Sequence, residues 1–181
     1  MKITLSGVPG SGKSTVRAAL AARYHLSIRG TGDFVRTICV RYGYQDITKF
    51  IVEYVSHHPE VDLEIDQEQK KFGEENDAFV LDAHVGFLFI PDAIKIFLQC
   101  DPEVAAQRIL DAKRATEDAK SIQDAVQANQ NRAQAMRQNF QKLYKVDMYD
   151  EKNFDLVVDT SSLTPDQVVQ RICDYIDGRG E

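Results

Sequence analysis

The stretch Gly7-Val8-Pro9-Gly10-Ser11-Gly12-Lys13-Ser14 constrains the fold of this chain more than any other. It fits G-x-x-x-x-G-K-[ST], the Walker A pattern, in which a glycine-rich loop closes around a row of phosphates. Its setting fits as well. Lys2 to Ser6 reads as a short buried strand, and Ser14 to Tyr24 as a helix with Val16, Leu20 and alanines on its apolar side. Backbone N–H groups can wrap phosphates closely only where side chains are small and unusual φ angles are allowed. The helix behind such a loop adds the positive end of its dipole. The residues expected to hold a nucleotide are therefore Gly7, Pro9, Gly10, Ser11, Gly12, Lys13, Ser14 and Thr15. Lys13 is expected to reach the β- and γ-phosphates of ATP, and the Ser14 hydroxyl to ligate Mg²⁺.

The 181 residues are enough for one domain, 1–181, with a sizeable core. Lys+Arg 22 against Asp+Glu 28 leaves a net charge of −6. That balance argues against a stable nucleic-acid partner, but not against a small anionic ligand in a positive cleft. Cys39, Cys100 and Cys173 are far apart and form no C-x-x-C pair. Neither a disulfide framework nor a zinc site is expected, and a reducing, cytoplasmic setting fits. The N-terminal stretch lacks the pattern of a signal peptide. Asp82, His84, Pro91, Asp92 and Lys95 interrupt the most apolar region, so no membrane-spanning helix is expected.

Leu26 to Ile28, Ala78 to Leu81, Ile94 to Leu98 and Asp155 to Val158 read as further short strands. Gly30-Thr31-Gly32-Asp33 reads as a turn, followed by a helix through Phe34, Val35 and Ile38. Ile47, Phe50, Ile51, Tyr54 and Val55 share one face of a helix that opens at Asp46 and ends at His58-Pro59. A helix is expected from about Glu60 to Phe72, and a long polar one from about Ser121 to Tyr144. Asp101-Pro102 is a helix start, and Thr164-Pro165-Asp166-Gln167 has the capping-box pattern. Strands alternating with helices predict an α/β fold, a mainly parallel sheet with helices on both faces. Ligands of such sheets bind beyond the carboxyl ends of the strands, so the loops starting at Gly7, Arg29, Asp82, Asp101 and Thr160 are expected to share one rim.

Beyond the phosphate loop, the chain resembles the nucleoside monophosphate kinases, in particular the short cytidylate kinases of the archaeal type. The resemblance is carried by Gly30-Thr31-Gly32-Asp33-Phe34-Val35-Arg36, by His58-Pro59-Glu60-Val61-Asp62-Leu63-Glu64-Ile65-Asp66, and by Val80-Leu81-Asp82. Leu143-Tyr144-Lys145-Val146-Asp147 and the last strand with its turn, Asp155 to Ser161, extend it over nearly the whole chain. It implies a three-layer P-loop NTPase fold with about five parallel strands, a helical acceptor lobe at about 30–75 and a mobile arginine-bearing lid at about 113–140. It also implies ATP and Mg²⁺ as cofactors and a nucleoside monophosphate, CMP or dCMP foremost, as the partner; a monomer and no membrane partner are expected.

The same resemblance assigns roles to residues. Arg36 would hold the acceptor's phosphate, a task suited to the planar guanidinium fork. Asp33 would touch the acceptor or cap the helix behind it. Asp62 and Asp66 lie four apart, hence on one helical face, where carboxylates can accept the N4 hydrogens of cytosine; a solvated acidic face is the plain alternative. Asp82 would hold Mg²⁺ through water or orient the phosphate loop, unless it is an ordinary turn residue. Arg114, Arg132 and Arg137 would be the arginines of the lid, with Arg132 and Arg137 joining Lys13 and Arg36 as catalytic candidates. Thr160, Ser161 and Ser162 would border the adenine. Two positions depart from the pattern: His84 stands where the family usually has arginine, and Asn139-Phe140 where it usually has Arg-Tyr. Asp82-Ala83-His84 also resembles the D-x-H of small adenylate-kinase-like proteins. His84 is either an acceptor ligand of reduced charge or a structural hydrogen-bonding group. The departures keep two other functions open: a kinase for AMP, UMP or a small hydroxylated metabolite, and an ATP-binding switch or assembly factor with weak transferase activity.

Overall fold

Five parallel strands organise the chain: β1 (Lys2–Gly7), β2 (Ser27–Gly30), β3 (Phe79–Asp82), β4 (Ile94–Gln99) and β5 (Leu156–Asp159), side by side in the order β2-β3-β1-β4-β5. The computed structural model describes residues 1–58, 60–112 and 122–180. In register, Leu5 of β1 faces Asp82 of β3 on one side and Ile96 of β4 on the other. Because every pairing is parallel, the strands end together, and the expected rim is present. Ile3, Leu5, Val80, Ile96 and Leu98 are fully buried, as strands covered on both faces require.

One face is covered by α1 (Lys13–Tyr24) and α8 (Pro165–Asp177), whose Val16, Leu20, Val168 and Ile172 join the sheet residues in one cluster. The other face is covered by α2 (Thr31–Arg41), α3 (Ile47–Glu53) and α4 (Glu60–Glu75), through Phe34, Ile38, Phe50, Val61 and Ile65 packed on Phe79 and Leu81. A short helix, α5 (Gly86–Phe89), follows β3 and belongs to a smaller cluster with Met148 and Phe140. α6 (Pro102–Asp111) follows β4, and α7 (Ile122–Tyr144) packs against it. Among the described residues no helix is long and apolar enough to cross a membrane.

Both capping signals read from the sequence are built. The Asp101 carboxylate accepts from the amides of Glu103 and Val104 at 2.9 and 3.2 Å. Thr164 and Gln167 exchange bonds at 2.9 and 3.3 Å, each cap being worth about 1 kcal/mol. Two local expectations are corrected. Thr31-Gly32-Asp33 is already helical, because the Asp33 side chain accepts the Gly30 amide at 2.9 Å and so starts the helix one turn earlier. The helix opening at Asp46 stops at Glu53 and gives way to a 3₁₀ turn, Val55–His57, as Tyr54 stacks on both Phe50 and His58. Pro59, Lys113, Arg114 and Ser121 lie outside the described residues.

Candidate active site

The loop after the central strand carries the geometry its sequence demands. Gly10 has φ 82°, and a Cβ there would stand 2.5 Å from the carbonyl oxygen of Ala105. Gly12 has φ 89° with open space where its Cβ would be. Any side chain at the first would collide with α6, and one at the second would strain the turn into α1. Lys13 folds back over the loop, its Nζ donating to the carbonyl oxygens of Gly7 and Val8 at 2.8 and 3.0 Å. Burial holds its pKa below the ordinary lysine value, Asp82 opposes that shift, and Arg132 adds to it. Ser11 Oγ is buried with no hydrogen-bond partner among the described residues. A part-buried ammonium, an orphaned hydroxyl and open space over the helix start suit a polyphosphate chain.

A cavity of about 460 Å³ continues from this loop, lined by Gly10 to Val16 on one side and by Arg108, Ile109, Thr160 and Leu163 on the other. Arg108 donates to Thr160 Oγ1 at 3.0 Å and to the Thr160 carbonyl at 2.7 Å, which fixes its guanidinium plane against the wall. Of the three rim residues expected near a base, Thr160 lines this cavity and Ser161 and Ser162 do not. Ser161 Oγ is occupied instead, accepting the Asp101 amide at 2.8 Å.

Asp82 ends β3 beside the loop. Its carboxylate lies 3.4 Å from Arg17, and burial raises its pKa against the pull of Lys13 and Arg17. Two residues on, His84 is held through its backbone by Ser6, whose hydroxyl donates to the carbonyls of Ala83 and His84 at 2.6 and 3.2 Å. Its Nδ1 is buried and unpartnered among the described residues. Burial, then Lys13, then Arg132 depress the imidazole to a pKa of about 4, so it is neutral at pH 7. The position where the family pattern has an arginine therefore holds an uncharged ring that feels the charge of two cations.

The described arginines expected in a lid separate. The charge of Arg132 acts on both Lys13 and His84, the last of three influences on each. Arg137 points elsewhere. Its Nε donates to Asp147 Oδ1 at 2.8 Å, a second bond joins it to Oδ2, and its guanidinium lies over Tyr149. That bidentate pair holds the Asp147 carboxyl below the usual carboxylate range.

The residues expected in an acceptor lobe also divide. Arg36 lines a groove between α2 and α4 with Arg29, Lys71 and Phe72. Asp62 and Asp66 are absent from that groove and lie half-buried on another face of α4. Asp33 caps α2, one of its two expected uses. Three residues near the cavity and groove were not anticipated: Arg108, Arg17 and Arg29. Arg17 was within reach, because it follows Lys13 by four residues and so shares its helical face. Arg108 is the only basic residue in a helix that begins on the ligand rim. Arg29 is signalled by nothing but its place at the end of a strand.

A parallel sheet in this order, with a glycine-rich phosphate cradle after its central strand, defines a P-loop kinase-type α/β domain. A family model described as an AAA domain matches residues 3–137, and the chain belongs to that family. It is 31% identical over 173 residues to a cytidylate kinase of Archaeoglobus fulgidus, covering 95% of this chain and 92% of that one. It is 35% identical over 175 residues to an S-adenosylmethionine-dependent nucleotide dehydratase of Lacinutrix mariniflava, covering 96% of this chain. The chain spans only 35% of that second relative. Among solved structures, an uncharacterized protein from Eubacterium ventriosum superposes with a TM-score of 0.75 over 98% of each chain at 15% identity, which shows the shared fold.

Proposed function

We propose that the protein transfers the γ-phosphoryl group of ATP to a nucleoside monophosphate, CMP or dCMP foremost, giving the diphosphate and ADP. The observation that carries this reading is the phosphate cradle on one rim with a charged helical lobe beside it. Gly7 to Thr15 would hold the ATP phosphates, with Arg108 and Thr160 against the base. Ser14 and Asp82 would hold Mg²⁺, which when bound spreads charge off the phosphate oxygens. The acceptor phosphate is largely ionised at neutral pH, so the chain needs no strong base and works by positioning and charge neutralisation. Lys13 supplies a cation at the transferring group and Arg132 a second from the lid. Arg36 turns from its groove to the acceptor's phosphate, and Asp62 and Asp66 meet its base. The likeness to a cytidylate kinase over nearly the full length of both chains supports this acceptor class. The match to part of a relative named for chemistry on nucleotides supports it too.

A second reading changes only the acceptor. His84 is neutral where the family pattern has a cation, which favours an acceptor with less anionic charge at that point, such as a hydroxylated metabolite. An acceptor screen separates the two. ADP formation with CMP, dCMP, UMP, AMP and GMP is expected to be fastest with the cytidine nucleotides. Slow hydrolysis that none of them accelerates would remove the proposal.

A further inference from the structure

We propose that Arg17 is a ligand of the acceptor's phosphate and supplies from α1 the positive charge that the family pattern places at position 84. The inference rests on the nucleotide-kinase reading above and adds to its acceptor site a residue that the resemblance does not assign. Arg17 follows Lys13 by four residues, on the same face of α1. Its Nη1 donates to Asp82 Oδ2 at 3.4 Å. Gly30 ends β2 and pairs in register with Asp82. A Cβ at Gly30 would stand 3.2 Å from the same Nη1. The backbone there is extended, φ −142° and ψ 160°, which any residue adopts, so what the glycine supplies is room for the guanidinium. The helix α2 starts at the next residue. Arg17 thus reaches the corner where the strand end that carries Asp82 meets the start of the helical lobe. His84 lies two residues beyond Asp82 in the chain.

The guanidinium is held loosely for a group so enclosed. Only 27% of the Arg17 side chain is exposed. Among the described residues it makes one hydrogen bond, a long one, although a guanidinium carries five N–H donors. Its Nε is buried with no partner among the described residues. Arg137 shows the contrast: it engages both oxygens of Asp147 side by side, the fork that a holding contact uses. Arg17 makes no such fork with Asp82. Unmet donors in an enclosed site cost stability until a ligand meets them, and a planar guanidinium is shaped to meet the paired oxygens of a phosphate.

The other basic groups on this rim are engaged elsewhere. Lys13 lies on the carbonyls of Gly7 and Val8, and Arg108 on Thr160. Arg29 lies over the ring of Phe72 in the groove of α2 and α4. His84 carries no charge at pH 7 to replace the missing arginine. Arg36 by itself would meet a largely ionised phosphate with one guanidinium. Arg17 supplies the second, from the helix that follows the phosphate loop.

Steady-state kinetics with CMP and ATP varied separately test this. Arg17→Gln is expected to raise the CMP KM about tenfold or more, the loss of one charge-assisted bond, while the ATP KM moves about twofold or less. Arg17→Lys keeps the charge without the fork and should fall between Arg17→Gln and the native protein. His84→Arg added to Arg17→Gln returns a guanidinium to the family position and is expected to recover most of the lost CMP affinity. A guanidinium that only tied α1 to Asp82 would behave differently. Its loss would lower the thermal midpoint, move the CMP and ATP KM values together, and find no rescue from position 84. That pattern, or an unchanged CMP KM in Arg17→Gln, overturns the inference while leaving the kinase reading intact. Should Arg17→Gln fail to fold, Arg17→Lys with and without His84→Arg puts the same question. Failure of the native protein to phosphorylate any monophosphate overturns both.

Discussion

The phosphate cradle and the acceptor lobe are built from different materials. The cradle is backbone: positive φ angles at Gly10 and Gly12, carbonyls that hold Lys13, and a helix start beneath open space. The proposed lobe is side chain: Arg36 in one groove, Asp62 and Asp66 on another face, and Asp33 both capping α2 and lining the groove. Backbone sites tolerate almost no change of residue type, because geometry and chemistry are the same atoms. Side-chain sites can be retuned one charge at a time, which would suit the acceptor choice proposed for this part.

Substitutions across the two regions should therefore fail in different ways. The largest effect is expected for Lys13→Ala, which removes the cation at the transferring group. Turnover in a coupled ATP assay should fall by about a thousandfold or more, with an unaltered circular dichroism spectrum. A fall of less than tenfold would detach Lys13 from the chemistry. Next come Arg132 and Arg137, the described arginines of the proposed lid, which would separate an active cation from a structural one. Arg132→Ala should lower kcat by about a hundredfold. Arg137→Ala should chiefly free Asp147 and lower the thermal midpoint. If Arg137→Ala slows turnover more than Arg132→Ala, the assignment is reversed. In the lobe, Arg36→Ala should raise the acceptor KM by about ten- to a hundredfold through loss of a charge-assisted bond, with little change in kcat. An unchanged acceptor KM would remove Arg36 from the site.

The smallest effect concerns stability. The carboxyl of Asp66 has a folded pKa of about 7, raised above its ordinary value of 3.8 by burial and Asp62. Its contribution is thus fully present below about pH 4 and is lost as pH rises to about 7. Asp66→Asn has no such loss. Its thermal midpoint relative to the native protein should climb between pH 4 and 7 and level off above. A constant difference over that range would mean that Asp66 ionises as an ordinary carboxyl.

The backbone region was also the legible one. Walker A spacing, the caps at Asp101 and Thr164, and the alternation of strands with helices are local or periodic signals, and the sheet follows from them. What the sequence hides is pairing at a distance. Nothing near Arg137 in the chain announces that Asp147 will hold it, and Arg108 finds Thr160 across 52 residues. The early start of α2 turned on whether the Asp33 side chain would reach back to Gly30, an outcome that residue type leaves open. The split of the lobe residues between two faces follows from how α2 and α4 pack, which helical periodicity within each cannot supply.

The most direct test follows the phosphoryl group itself. Phosphorus NMR of ATP, Mg²⁺ and CMP with the purified protein should show CDP and ADP growing in equal amounts, without inorganic phosphate. Inorganic phosphate appearing with ADP while CMP stays unchanged would contradict transfer to the nucleotide.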